Sequence, residues 1–184
     1  MSSKTKAFRL KYLLDANIIL RTSEFGCWDE LRRRATILVP SIVARKEAMF
    51  SSRRNKPGYV ALQLPELIKR NELIEASASA AELISVAAVF DDAFLGSIDD
   101  GEKEALAILM TGRLDDVRFA TADRAAINGL AMIGLGDVGI SLEEILRETG
   151  LARALPHYLT KSFFDECIAR GQEKRIRGEG LRRR

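Results

Sequence analysis

The feature that most constrains this chain is an alternation of short apolar runs, β-branched at Thr36 to Val39, with longer helical stretches. Arg9 to Leu14, Thr36 to Val39 closed by Pro40, Leu73 to Ala76 and Val117 to Thr121 read as strands. Helical compositions stand between them. Strands alternating with helices favour parallel pairing, with the helices covering the two faces. The pattern therefore predicts an α/β fold, a three-layer α/β/α domain around a mostly parallel central sheet.

The helices are legible from caps and breakers. Trp28 to Arg34 reads as helical, and Ser41 caps a helix running to about Phe50. Ser51 to Gly58 reads as a basic loop, after which Pro65 opens a short helix. Ser79 to Phe94 reads as one helix, Gly96 as a break, and Asp99 to Met110 as the next helix. A helix after Asp123 is expected to end near Asn128 and Gly129, with a short strand at Ala131 to Ile133. Ser141 with Glu144 forms a capping box that opens one more helix.

With 184 residues the chain can bury a core without staples. Residues 1–150 read as the α/β domain and residues 151–184 as a basic helical C-terminal extension with an arginine-rich end. No stretch approaches the roughly 20 apolar residues of a membrane helix, and no signal peptide is seen. Cys27 and Cys167 lie far apart without metal-ligand spacing, so a reducing cytoplasm is the expected setting. The single histidine, His157, excludes multi-histidine metal sites and leaves the chemistry to carboxylates.

In a parallel sheet, ligands bind beyond the carboxyl ends of the strands, so acids at those ends converge. Asp15 and Asp123 both hold that position. Asn17 follows Asp15 by two residues, and Thr121, two before Asp123, points to the same side of an extended chain. Either aspartate can instead be a plain helix cap. In Asp99-Asp100-Gly101-Glu102-Lys103-Glu104, Glu102 shares a stripe with Ala105, Leu106 and Leu109, whereas Glu104 points roughly opposite. Glu102 ranks first and Glu104 second, although Asp99-x-x-Glu102 is also a capping-box spacing. Like-charged carboxylates in a cleft need a neutralising cation, and hard oxygen donors select Mg²⁺ or Mn²⁺. Such a site suits hydrolysis of a phosphodiester.

Positive charge gathers at the end of the chain. From Leu151 onward there are nine basic and four acidic residues. Lys174, Arg175 and Arg177, set among glycines, suit phosphate contacts by a flexible arm. The run Arg53, Arg54 and Lys56 is a second candidate for nucleic-acid contact, with Arg32 to Arg34 a third.

Three motifs in order resemble the PIN-domain family, which includes VapC-type toxin ribonucleases. Leu13-Leu14-Asp15-Ala16-Asn17-Ile18-Ile19-Leu20 resembles its opening motif, and Phe119-Ala120-Thr121-Ala122-Asp123 its late Thr-x-Asp motif. Gly101 to Leu109 is similar to the helix that bears the third acid in some branches. The resemblance spans roughly residues 10–145 and implies a Mg²⁺- or Mn²⁺-dependent endoribonuclease with Asp15, Glu102 and Asp123 on the metal. It implies a supporting role for Asn17 and Thr121, RNA as substrate, and, for a VapC-type chain, an antitoxin-like protein partner and a homodimer. The family's second acid falls where this chain has Lys46, with Glu47 one residue late. Glu47 is retained as a catalytic candidate, and Lys46 lies near the centre of the Ile42, Val43, Met49 and Phe50 stripe.

Two other functions are compatible with the same residues. A catalytically weakened module that binds RNA or a protein without cleaving is favoured by Lys46. A phosphatase or phosphotransfer domain would also begin with an aspartate at a strand end, but Asn17 cannot act as its general acid.

Overall fold

The computed structural model describes residues 10–47, 50–52 and 59–182. Four strands form an all-parallel sheet: β1 (Lys11–Leu14), β2 (Thr36–Pro40), β5 (Ile74–Ala76) and β6 (Val117–Ala120), in the order β5-β2-β1-β6. A separate antiparallel pair joins β3 (Phe50–Ser52) to β4 (Tyr59–Ala61). The helix expected to run to about Phe50 is instead a π-helical turn, Val43–Glu47, with the chain extended again by Phe50, and Ser51 and Ser52 of the expected basic loop lie in β3, while residues 53–58 lie outside the described residues.

Helices cover both faces of the sheet. On one side lie α1 (Ala16–Glu24), α2 (Trp28–Arg34), α3 (Leu64–Lys69) and α8 (Leu142–Glu148), packed on Tyr12, Leu14, Ile37 and Val39. On the other lie α4 (Ala80–Val89), α5 (Asp92–Leu95), α6 (Asp100–Met110) and α7 (Arg124–Met132), packed on Leu13, Leu38, Val117 and Phe119. Alternate residues of one strand thus serve two cores. That is why β1 and β2 read as continuous apolar runs in the sequence. Each of these fully buried side chains contributes roughly 1.5–3 kcal/mol relative to exposure.

Two expected elements are corrected. The helix expected from Ser79 to Phe94 is two, α4 and α5, broken at Phe90, because Asp91 leaves helical geometry and caps α5 by accepting the Phe94 N–H at 2.8 Å. The strand expected at Ala131 to Ile133 is the last turn of α7, where Ala131 and Met132 are buried against the neighbouring helices. Their apolar character is burial, not pleating.

The C-terminal residues form a single long helix, α9 (Lys161–Arg177), that runs alongside α7 in the same direction. Phe163, Phe164 and Cys167 pack on Ile127, and Gly171 meets Asn128 and Ala131. A Cβ at Gly171 would lie 2.7 Å from that of Ala131 and 2.9 Å from the Asn128 Cα, so only glycine permits this closeness. Beyond α9, the Asp91 N–H donates to the Gly180 carbonyl at 3.0 Å and the Arg182 N–H to that of Val89 at 2.9 Å. The expected flexible arm is therefore, through residue 182, a docked segment held by an apolar face and backbone pairing.

Strand order decides where a site can form. From β1 the chain moves outward through β2 to β5, then crosses back to add β6 on the other side of β1. The order reverses between β1 and β6, so their carboxyl ends are the place where a sheet of this kind binds ligands.

Candidate functional site

Asp15 and Thr121 are the first residues past the paired ends of β1 and β6, where Leu14 stands opposite Ala120. The Asp15 N–H donates to the Ala120 carbonyl at 3.0 Å, so the ladder extends one step and fixes the Asp15 backbone. Glu102 arrives from the first turn of α6. All three are buried: Asp15 is 2%, Glu102 2% and Thr121 4% exposed.

The three side chains meet at one atom. Oγ1 of Thr121 stands 3.2 Å from Oδ2 of Asp15 and 3.2 Å from Oε1 of Glu102, and it accepts the Asp123 N–H at 3.0 Å. A threonine hydroxyl has one hydrogen and two lone pairs, so it can donate to only one of two carboxylates. The arrangement closes when Thr121 donates to Asp15 and Glu102, carrying a proton, donates to Thr121. Burial, with the negative charges of Asp15 and Asp123 alongside, pushes the Glu102 carboxyl up to about 8. Burial and like charge thus favour the protonated form of Glu102 in the metal-free chain.

Glu102 also answers the capping question. Its Oε2 accepts the Asp99 N–H at 3.1 Å while Oε1 faces Thr121. One carboxyl group caps the helix and belongs to the cluster. Asp123 also has two roles, since its Oδ1 accepts the Ala126 N–H at 2.9 Å and caps α7. Asn17 is exposed and donates from Nδ2 to Oδ2 of Asp15 at 3.2 Å.

Glu104 lies elsewhere. It is 3% exposed and accepts from the Ser41 hydroxyl at 2.6 Å, the Ile42 N–H at 2.8 Å and the Ala78 N–H at 3.2 Å. It fastens the helical turn after β2 and the approach to α4 onto α6. Lys46 is exposed within the π-helical turn. The reading that put Lys46 near the centre of an apolar stripe fails because a π-helical turn is wider than 3.6 residues, so the 100° step does not apply. The side chain of Glu47 lies outside the described residues, as do Arg53, Arg54 and Lys56.

Lys174, Arg175 and Arg177 are remote from the carboxylates. Lys174 lies over the Phe94 ring at 5.8 Å and Arg175 abuts Gly134 just past the end of α7, whereas Asp123 caps that helix at its start. Arg177 pairs with Glu173 at 2.6 Å. In α2, Arg32 pairs with Asp29 and Glu72, Arg33 with Glu30, and Arg34 with Glu30 while donating to the Thr149 carbonyl.

Among the described residues no group of three or more His, Cys, Asp or Glu side chains stands in position to hold a metal ion. The donor set still suits one in kind. Two buried carboxylates, with Asp123 near enough to raise the Glu102 pKa, present hard oxygens at a strand-end crevice. A proton on Glu102 occupies the electrostatic role a cation would take. Among the described residues no helix is long and apolar enough to cross a membrane. No family model matches the chain, nor does any curated protein or solved structure.

Proposed function

We propose that this protein is a divalent-metal-dependent endoribonuclease of the PIN type, acting on RNA phosphodiesters. The observation that carries the reading is the meeting of Asp15 and Glu102 at the Thr121 hydroxyl, at the switch point of a parallel sheet, with Glu102 raised to about 8 by burial and like charge. Buried carboxylates held that close to one another are costly unless a cation or proton offsets them. The resemblance of the motifs around Asp15, Glu102 and Asp123 to the PIN family adds the substrate class.

In this reading Asp15, Glu102 and Asp123 would hold Mg²⁺ or Mn²⁺, which would supply activation of a water and charge stabilisation at the scissile phosphate. Asn17 orients Asp15 through its 3.2 Å hydrogen bond, and Thr121 ties Asp15, Glu102 and the Asp123 backbone into one unit. Glu47 assists directly or through water. Two free, buried cysteines suit the cytoplasm. An antitoxin-like inhibitor and a homodimer belong to the proposal through the VapC resemblance. The mass of the protein by size exclusion tests the dimer.

The second reading is an RNA- or protein-binding module without cleavage. It draws on the absence, among the described residues, of a third side chain in ligand position beside Asp15 and Glu102.

One experiment separates the two. Mg²⁺ and Mn²⁺ are titrated calorimetrically into wild type and Asp15→Asn while cleavage of a labelled RNA is followed. Binding and cleavage lost together in the variant support the nuclease. Undiminished metal-dependent cleavage by Asp15→Asn overturns the site, and wild type that binds RNA but never cleaves supports the module.

A further inference from the structure

The C-terminal segment packs beside Thr121 through residues that the sequence motifs do not include. Ile18 and Thr121 line one closed crevice, too narrow to admit water, with Tyr158, Leu159, Thr160 and Phe163. Thr121 is the hydroxyl shared by Asp15 and Glu102, so the start of α9 and the turn before it are neighbours of the site.

Around that crevice cations and aromatic rings alternate. Arg21 lies one helical turn beyond Asn17 on α1, and its guanidinium stands 5.6 Å from the centre of the Tyr158 ring. Arg124, the residue after Asp123, stands 5.5 Å from the Phe163 ring. His157 meets Phe163 edge-on at 5.7 Å. Tyr158 is 37% exposed, Arg124 is exposed, and the Arg21 and His157 side chains are 42% and 66% exposed. Phe163 is nearly buried and serves as the floor.

The acidic groups here leave the cations available to a ligand. Arg21 pairs with Glu24 at 2.7 Å in a half-buried pair that leaves the arginine side chain 42% exposed, and His157 stands 3.8 Å from Glu166 at the surface. A phosphate would compete with Glu24 for the exposed side of the Arg21 guanidinium. An exposed ring beside guanidinium groups suits a single polynucleotide strand. A base stacks on the Tyr158 ring and phosphates meet the cations. A duplex keeps its bases stacked on one another and cannot use the rings.

From this arrangement we infer that Arg21, Tyr158 and Arg124 form a binding platform for single-stranded nucleic acid that leads the strand across the Asp15–Thr121–Glu102 cluster. The platform deepens the proposed function by naming residues that position its substrate. It also assigns a role to the turn before α9, in place of the basic residues at the far end of that helix. Tyr158 takes a base, and Arg21 and Arg124 take the flanking phosphates.

The test is binding of a short labelled single-stranded RNA, the DNA strand of the same sequence and the RNA duplex, by fluorescence anisotropy in EDTA. The proteins are wild type, Tyr158→Ala, Tyr158→Phe, Arg21→Gln, Arg124→Gln and Asp15→Asn, with Arg113→Gln as a distant surface control. Tyr158→Ala is expected to weaken strand binding about tenfold, within the range for one stacked base. Tyr158→Phe and Arg113→Gln should bind as wild type. Each arginine variant should reduce the salt slope by about 0.7, one phosphate's worth for a single strand. RNA and DNA strands both binding would mean that the platform reads the common backbone and bases, and RNA alone that it reads the 2′-hydroxyl. Both outcomes support it.

Unchanged strand binding in Tyr158→Ala and in both arginine variants overturns the platform, as does tighter binding of the duplex or no strand binding by wild type. The nuclease reading fails separately. Wild type that binds the strand through Tyr158 yet does not cleave with Mn²⁺ leaves the platform standing without it. Cleavage with an unchanged KM in Tyr158→Ala leaves the nuclease standing without the platform.

Discussion

Glu102 and Glu104, two positions apart on α6, are both buried and serve different partners: Glu102 faces the Thr121 hydroxyl, and Glu104 faces the Ser41 hydroxyl and the Ile42 N–H. A step of two along a helix turns a side chain by about 200°, so one carboxylate enters the strand-end crevice and the other the seam between elements. This geometry separates a candidate chemical group from a structural one, and the two predict opposite responses to substitution.

Glu104→Ala is expected to destabilise the fold by about 3 kcal/mol, because three donors, from Ser41, Ile42 and Ala78, are left in a buried seam without their acceptor. Urea unfolding followed by circular dichroism measures the loss. A change below about 1 kcal/mol would mean that water or a neighbouring carbonyl replaces the carboxylate.

Glu102 predicts the reverse in metal-free protein. Its carboxyl is raised from an ordinary 4.5 to about 8 in the folded chain, so between those values the folded state holds a proton that the unfolded state releases. Stability from this group is full below about pH 4.5 and declines as pH rises through 8, by a few kcal/mol in all. Thermal unfolding in EDTA from pH 5 to 8.5 should show the decline, and Glu102→Gln, neutral throughout, should flatten it. A variant with the wild-type slope would assign that slope to another group.

The fold was more legible than the site's boundaries. Strands β1, β2, β5 and β6 carry short apolar runs with clear stops, and Ser141 and Glu144 mark α8 by a capping box that is present in the structure. What escaped the sequence was non-local or irregular. The pair β3 and β4 depends on a tertiary ladder, the π-helical turn breaks the 3.6 period that placed Lys46, and the end of α7 is apolar because α9 meets Ala131 and the second core buries Met132. Asp15, Glu102 and Thr121 were visible through their positions after strands and on a helix stripe. The neighbourhood of Tyr158 was not, because only tertiary packing brings residues near 158 beside Thr121. Its one local signal was Pro156 with an exposed aromatic just before a helix.

Gly171→Ala should separate α9 from α7. The added methyl would meet the Asn128 carbonyl oxygen, Ala131 Cβ and Asn128 Cα, all closer than van der Waals contact allows. Overpacking of this kind costs about 1–3 kcal/mol. Tm should fall, with the C-terminal segment becoming cleavable by protease before the rest of the chain. Full stability and unchanged protection would show that the helices slide apart without cost.

Lys46 is the residue on which the two functional readings diverged, and its exposure makes a definite prediction. Asp15 and Asp123 are the charged groups acting on Glu102, and Lys46 is not among them. A solvated ammonium at the surface is screened within about 10 Å at ordinary ionic strength. Lys46→Met is therefore expected to change Mn²⁺ affinity by less than about twofold, against the loss expected in Asp15→Asn, with both read by calorimetry at one pH and salt concentration. A tenfold or larger gain in affinity, about 1.4 kcal/mol, would place the Lys46 ammonium against the carboxylates in the metal-binding state. The turn after β2 would then swing inward on binding, moving the adjacent Glu47 with it.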